Sequence, residues 1–426
     1  MKYSLAYGKG TFPVELPERN VVKVLAIQPG KPLEAPAEVL RQKLSAPNGT
    51  QPLAEIAAGK RSACIVVCDI TRPVPNQVIL PPILKTLRQA GIPQENILLL
   101  VATGLHRIST EEEKIEMFGE EIVRTYRVED HDAHLFDEHR FLGHSTRQVP
   151  IWIDKRYLDA EVKILTGLIE PHFMAGYSGG RKSICPGIAA AETICSWHSP
   201  RFLEHENARF GCVQENPVHE ESLEIALKCG CDFIVNVVID HHRNILAVAA
   251  GNLEQAHNEG VDIARHYTVD TVDHPVDIVI TSSAGYPLDK TWYQSIKGIV
   301  GAADIVKPGG TIILVSSCDE GIGSTTFEKI AEQFPTIESF MEAILNGSFF
   351  VADQWQLEEL GKVLRKAKVK VFSQGLPPET FRKYYVESTA SVEQAIVEAL
   401  QEYGNNASIA VMPDGPYVLA KVKQNR

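Results

Sequence analysis

The chain has 426 residues, with 42 Lys and Arg against 54 Asp and Glu, a formal charge of −12. Hydrophobic residues make up 44% and charged residues 23%, close to the globular average, which excludes intrinsic disorder and fibrous repeats. The acidic balance argues against nucleic acid or an anionic membrane as partner, so an anionic ligand must be met by a local cluster of cations.

At about 150 residues per domain the length suggests two or three domains. The opening stretch lacks an apolar run before Gly8 and Pro13, and no long apolar window follows, so neither a secretory signal nor a membrane span is expected. The eight cysteines are scattered with no CxxC pair, which predicts free thiols in a reducing, cytoplasmic setting. Residues 63–69 read as a buried strand, 76–90 as a helix and 96–102 as the next strand. Ser109-Thr110 followed by three glutamates opens another helix with N-cap chemistry. Apolar runs at 162–169, 233–240, 277–282, 311–316, 369–373 and 409–412 continue the strand series. Near-continuous apolar strands alternating with helices mean mostly parallel sheets covered on both faces, hence an α/β protein of two α/β domains. The polar stretch 271–275 is the expected boundary. It sets an N-terminal domain at 1–272 and a second at 273–411, with 412–426 expected to pack back on the first.

Ligand sites in such folds lie beyond the carboxyl ends of strands. Four polar segments sit there. Cys68-Asp69-Ile70-Thr71-Arg72-Pro73 suits orienting a group and clamping an anion, or is a plain turn with a capping Asp. Thr103-Gly104-Leu105-His106-Arg107 places a histidine as a strand-end acid or base, although a loop His is more often a bystander. Glu170-Pro171-His172 leads into Ser178-Gly179-Gly180-Arg181-Lys182-Ser183, where glycines admit a phosphate and Lys182 adds charge or a nucleophilic amine. The segment departs from a P-loop because Arg181 stands where glycine is needed, so Mg²⁺-dependent nucleotide chemistry is a minor alternative. In the fourth, residues 286–298, Tyr293 or Gln294 lies one turn from Lys297, and with Arg72 these could hold a carboxylate. The plainer reading is a solvated helix start with Trp292 in the core. His198 alone specifies no metal. The histidine-rich run 130–139 reads as a solvated loop, with a metal site as the lesser reading.

Together the DxTRP, TGxHR, PHxxAGxSGGRK, WHS and PLDxxxYQSxKG segments, in this order over almost the whole chain, resemble the nickel-dependent lactate racemase family. The resemblance implies two α/β domains with a cleft between them and a nickel-pincer nucleotide, a pyridinium mononucleotide whose sulfur-bearing arms clasp nickel. It implies Lys182 as the covalent attachment point and His198 as the protein ligand to nickel. Asp69, Thr71, Arg72 and Ser178-Gly179-Gly180 would form the cofactor and anion pocket. His106 and His172 would be the two acid/base groups. Arg72, Tyr293, Gln294 and Lys297 would face the substrate, with Trp355 closing over it. The implied reaction inverts C2 of a small 2-hydroxy acid, with lactate foremost and malate, phenyllactate or a sugar acid as alternatives. It proceeds by hydride transfer to the cofactor through a flat 2-keto acid. Accessory enzymes that build the cofactor are the implied partners. A binding protein without turnover is the remaining alternative, and no oligomeric state can be read from the residues.

Overall fold

The structure, a computed structural model, describes residues 1–423. The chain divides into two units, Pro29–Tyr267 and a discontinuous one that joins Met1–Gln28 to everything from Thr268 onward.

In the first unit six strands lie in the order Ile245–Gly251, Phe233–Ile239, Val162–Leu168, Ala63–Cys68, Ile97–Ala102, Arg127–Asp130. All neighbours are parallel except the edge pair Phe233–Ile239 with Ile245–Gly251, which is antiparallel. The apolar runs are continuous because the central strands are buried on both sides. Ile65, Val67, Leu99, Val101 and Ile164 face one core cluster, packed with Leu80, Ile83 and Leu87 of the helix Asn76–Gln89. Thr110 and Glu113 form the expected capping box on the helix Glu111–Phe118.

The second unit carries a wholly parallel six-stranded sheet ordered Glu387–Ser388, Lys368–Phe372, Val306–Val315, Val276–Ser282, Ile409–Met412, Val21–Val24. The strand period of two sorts its residues cleanly. Ile278, Ile280, Ile313 and Val315 face a cluster shared with Leu5, Val14 and Leu16 of the hairpin Lys2–Tyr7/Gly10–Glu15. Val279, Ile312 and Leu314 face the other side, against Trp292 and Ile296 of the helix Trp292–Ala302 and Leu357 and Leu360 of Gln354–Leu364.

Three sequence expectations change here. The first 28 residues do not belong with the unit that follows them, because Val21–Val24 pairs with Ile409–Met412 and the hairpin covers that strand's sheet. The closing segment does not return to the first unit either. Leu419–Val422 pairs in parallel with Val269–Val272, inside the second unit, while residues 424–426 of that expected segment lie outside the described residues. The crossing between units at Tyr267/Thr268 falls five residues before the expected boundary at 272/273.

Candidate active site

Three adjacent parallel strands of the first unit, Val162–Leu168, Ala63–Cys68 and Ile97–Ala102, end on the same edge of the sheet. Cys68 is opposite Ala102, so the loops after these two strands emerge side by side. That register brings His106 to Asp69, with Nδ1 2.6 Å from Oδ2. The other carboxylate oxygen accepts from the Thr71 hydroxyl at 2.6 Å and the Thr71 N–H at 3.2 Å. Asp69 is buried, whereas 41% of the His106 side chain is open to solvent. Burial alone would raise Asp69, but His106, Thr71 and Arg72 together hold its carboxyl below the usual range. An Nδ1–H held on a carboxylate leaves Nε2 as the lone-pair nitrogen at the exposed end. The loop is anchored on both sides of His106. Gly104 N–H donates to Gly187 O at 3.0 Å, and Arg107 pairs with Glu113 at 2.6 Å.

His172 is buried after the third strand, in a two-residue ladder of Pro171–His172 with Gly176–Tyr177. Its Nδ1 accepts from the backbone N–H groups of Met174 and Ala175, both at 3.2 Å. Two donors on Nδ1 put the ring proton on Nε2, so His172 presents N–H where His106 presents a lone pair.

The glycine loop is held from within. Ser178 Oγ donates to Leu168 O at 2.6 Å, Ser178 N–H to Glu170 O at 2.9 Å, and Gly180 N–H to the Asn236 side-chain oxygen at 3.0 Å. Gly179 has φ +80°, and a Cβ there would stand 2.9 Å from Ile169 Cγ1 and 3.0 Å from Asn236 Oδ1. Only glycine fits this approach. Arg181 is 1% exposed, and its guanidinium is tied to Ala175 O, Tyr177 O and His257 rather than to a carboxylate. Arg72 lies 3.6 Å from Glu170.

Lys182 follows in a short turn, Gly180–Ser183, with its Nζ 4.7 Å above the Trp197 ring. Among the described residues neither a carboxylate nor a hydrogen-bond acceptor pairs with this amine. Burial, then the charges of Arg181 and Arg72, push it well below its ordinary value, toward the neutral nucleophile. His198 packs edge-on against Trp197 at 4.3 Å between centroids and is buried. Its Nδ1 lies 3.1 Å from Ile194 O, and a carbonyl can only accept, so Nδ1 carries the proton and Nε2 the lone pair. Burial and the nearby Lys182 charge keep the ring neutral, with its basicity pushed well down. An unpaired amine beside a neutral imidazole with a fixed tautomer is a donor set that suits covalent attachment of a group and ligation of a soft or borderline metal. Among the described residues no group of three His, Cys, Asp or Glu side chains could by itself hold a metal.

Tyr293, Gln294, Lys297 and Trp355 belong to the second unit. Thr291 caps the helix Trp292–Ala302, and Trp292 is fully buried as the plainer reading expected. The rest of that turn is not solvated. Lys297 is 9% exposed and donates to the Gln294 side-chain oxygen at 2.5 Å. Tyr293 instead meets Trp355, whose Nε1–H donates to the Tyr293 hydroxyl at 2.8 Å.

Residues 7–211 match the family described as Lactate racemase N-terminal domain, and 271–420 match Lactate racemase C-terminal domain. The chain is 33% identical over 424 residues to a lactate racemase of Thermoanaerobacterium thermosaccharolyticum, covering 98% of this chain and 99% of that one. It is also 33% identical over 422 residues to one of Lactiplantibacillus plantarum, with the same coverage. The chain belongs to the lactate racemase family. The solved lactate racemase apoprotein of T. thermosaccharolyticum superposes with a TM-score of 0.93 at 32% identity, covering 99% of this chain and 100% of the other. A Thermotoga maritima protein of 19% identity shares the fold at a TM-score of 0.70 over 92% of this chain and 99% of its own.

Racemases are isomerases, and membership of the lactate racemase family makes this chain an enzyme of that class. Within that frame the contacts bear on several sequence readings. Asp69 and Thr71 are not left open for an anion, because their polar atoms are committed to His106 and to each other. Ser178 shapes the loop rather than offering its hydroxyl outward, since that hydroxyl is spent on Leu168 O. The loop N–H groups of Ser178, Gly180 and Lys182 have internal acceptors in Glu170 O, the Asn236 side chain and Gly179 O. The run 130–139 is not wholly solvated: His131 and His139 are buried and meet Nε2 to Nε2 at 2.8 Å. Asn236, His257 and Asp353 were missed. Each sits in a strand, helix or loop whose local sequence carries no motif.

Proposed function

We propose that this enzyme interconverts the two enantiomers of lactate, with His106 and His172 as its proton-handling groups. The observation that carries this is the complementary state of the two rings, a lone pair at His106 Nε2 and a proton at His172 Nε2, each fixed by its own partner. A 2-hydroxy acid has a very weakly acidic C2–H, so inversion through the flat 2-keto acid is the easier route, and its hydroxyl lies to a different side in each enantiomer. Two proton-handling groups are therefore needed. His106 Nε2 takes the hydroxyl proton on one side, and Asp69 meets the charge the ring then carries. To give a proton to the oxygen on the other side without leaving an imidazolate, His172 takes up a second proton from solvent, while His106 returns to solvent the one it accepted.

The Lys182 amine and His198 fit the nickel-pincer nucleotide, Lys182 as its covalent anchor and His198 Nε2 as the ligand to nickel. When bound, that group supplies hydride acceptance and return at a ring carbon. Burial of Trp197 and Ile194 around His198 excludes water from the ligating nitrogen, and Arg72 with Arg181 gives the pocket the positive field an anionic nucleotide needs. Arg72, Gln294, Lys297, Tyr293 and Trp355 are assigned to the substrate, the cations fixing its carboxylate. The host's cofactor-building enzymes would be the partners. Cysteines without disulfides suit the reducing cytoplasm, and no described helix is long and apolar enough to cross a membrane.

The test is a denatured intact mass of protein made beside a cofactor-synthesis pathway, compared with Lys182→Ala, followed by a chiral assay of lactate, malate, phenyllactate and sugar acids. An increment lost in the variant and fastest inversion of lactate are expected. No increment in a host shown to load another family member would sink the cofactor assignment. Faster turnover of a different acid would replace lactate.

A further inference from the structure

Asp353 breaks two local rules at once. It precedes the helix Gln354–Leu364 as its N-cap, and aspartate is among the best capping residues, yet its side chain makes no cap hydrogen bond. It also holds φ +67°, ψ −3°, the left-handed region that a residue with a Cβ enters at a cost. Departures of this kind persist where other contacts over-determine them, and they concentrate at functional positions.

The contacts that hold it are on the page. Asp353 Oδ1 accepts the Tyr293 hydroxyl at 3.1 Å, and Oδ2 accepts the Ser324 hydroxyl at 2.5 Å. Ser324 in turn caps the helix Thr325–Ala331 by accepting from Phe327 N–H at 3.2 Å. Because the Tyr293 hydroxyl spends its proton on Asp353, its lone pairs remain for Trp355 Nε1–H. One carboxylate thus ties together the starts of three helices, Trp292–Ala302, Thr325–Ala331 and Gln354–Leu364, and sets the direction of the hydrogen bond that orients the indole.

We propose that Asp353 is a positioning residue for the substrate wall formed by Tyr293 and Trp355, acting through the Asp353–Tyr293–Trp355 chain of hydrogen bonds. The proposal rests on the assignment of those two side chains to the substrate. It makes the indole N–H a group committed to Tyr293, so Trp355 meets the substrate with the carbon part of its ring.

The decisive variant is Asp353→Gly, because glycine accepts φ +67° without strain and removes only the carboxylate. Asp353→Asn, which also tolerates this conformation but cannot accept from both hydroxyls, is the second. Fluorine NMR on the full chain labelled with fluorotryptophan reads the indole directly, with its resonance assigned by loss in Trp355→Phe. The Trp355 signal is expected to shift or broaden in Asp353→Gly and Asp353→Asn, as it does in Tyr293→Phe. In the loaded enzyme kcat/KM for lactate is expected to fall on the order of tenfold to a hundredfold. Adding Tyr293→Phe to Asp353→Gly should then cost less than about twofold more, since both cut one chain. A Trp355 signal unchanged in Asp353→Gly, or fully additive losses, would overturn the proposal. A shifted signal in a loaded enzyme that does not racemise lactate would sink the substrate assignment and leave Asp353 as the group that orients Trp355.

Discussion

At His106 a single hydrogen bond decides what the ring can do. The Asp69 carboxylate orients the ring and selects its tautomer, so replacing it with an isosteric amide tests that role with the fold kept. Asp69→Asn is expected to lower kcat by about a hundredfold or more with little change in metal content, measured on the loaded enzyme. The partners of His172 are instead two backbone N–H groups on Nδ1, so the two rings meet the two enantiomers with different groups behind them. Thermodynamics limits how this asymmetry can show. The equilibrium constant between enantiomers is unity, so kcat/KM must be equal in the two directions at every pH. The difference has to appear in kcat and KM separately. Initial rates from each enantiomer are expected to give unlike kcat and KM values with equal kcat/KM, and Asp69→Asn should change the two kcat values unequally; equal changes would remove the asymmetry between the rings. The histidine itself was legible in the sequence as a polar residue just past a strand. Its pairing with Asp69 was not, because 37 residues separate them and only the Cys68–Ala102 register brings the two strand ends together.

Among the elements, the glycine loop shows how a site can be shaped by what is absent from a side chain. Gly179→Ala would force a Cβ against Ile169 and Asn236 in a left-handed conformation. A loss of about 1–3 kcal/mol is expected in chemical denaturation, together with lost loading at Lys182. Asn236→Ala leaves the buried Gly180 N–H without its acceptor and should cost a similar about 1–3 kcal/mol while the backbone stays unstrained. The buried His131–His139 pair makes a different prediction. His139 Nδ1–H donates to Leu135 O, so its Nε2 accepts from His131, an arrangement that needs the His139 ring neutral. Burial lowers both, His131 the more, so folding opposes their protonation. Their contribution is full above the ordinary histidine value of about 6.5 and is lost as pH falls below it. Melting temperature should therefore drop on acidification below neutrality, and drop less in His139→Gln. Equal slopes for the two proteins would exclude the pair as the cause. The strands were readable because burial on both faces leaves unbroken apolar runs. The histidine pair was not, since its segment carries so many polar residues that burial of two of them leaves no periodic trace.

For the molecule as a whole, composition and strand patterning sufficed to establish two α/β units, but not which residues complete the second. An amphipathic hairpin and a four-residue strand at the start of a chain carry no sign of a partner lying hundreds of residues away. The structure assigns them to the sheet of Val276–Ser282, where they cover Ile278 and Ile280. A fragment of residues 29–267 is accordingly expected to unfold cooperatively by itself. A fragment beginning at 268 should bind a hydrophobic dye and aggregate unless residues 1–28 are supplied with it. Cooperative unfolding of the second fragment alone would show the N-terminal stretch to be dispensable.

The same discontinuity sets an order of events during synthesis. Val21–Val24 can join its sheet only beside Ile409–Met412, which sits between it and Val276–Ser282. At about 5–20 residues per second, the first strand leaves the ribosome roughly 20 to 80 s before its neighbour does. Throughout that interval the hairpin and strand are an unsheltered sticky end. They are joined only to a neighbouring unit that can fold without them. A chain released early, by truncation or stalling, therefore carries a finished first unit and a second that cannot close. Such a product would retain Lys182 and His198 while lacking a sound second unit, so the late strand Ile409–Met412 acts as the check that the second unit has been made.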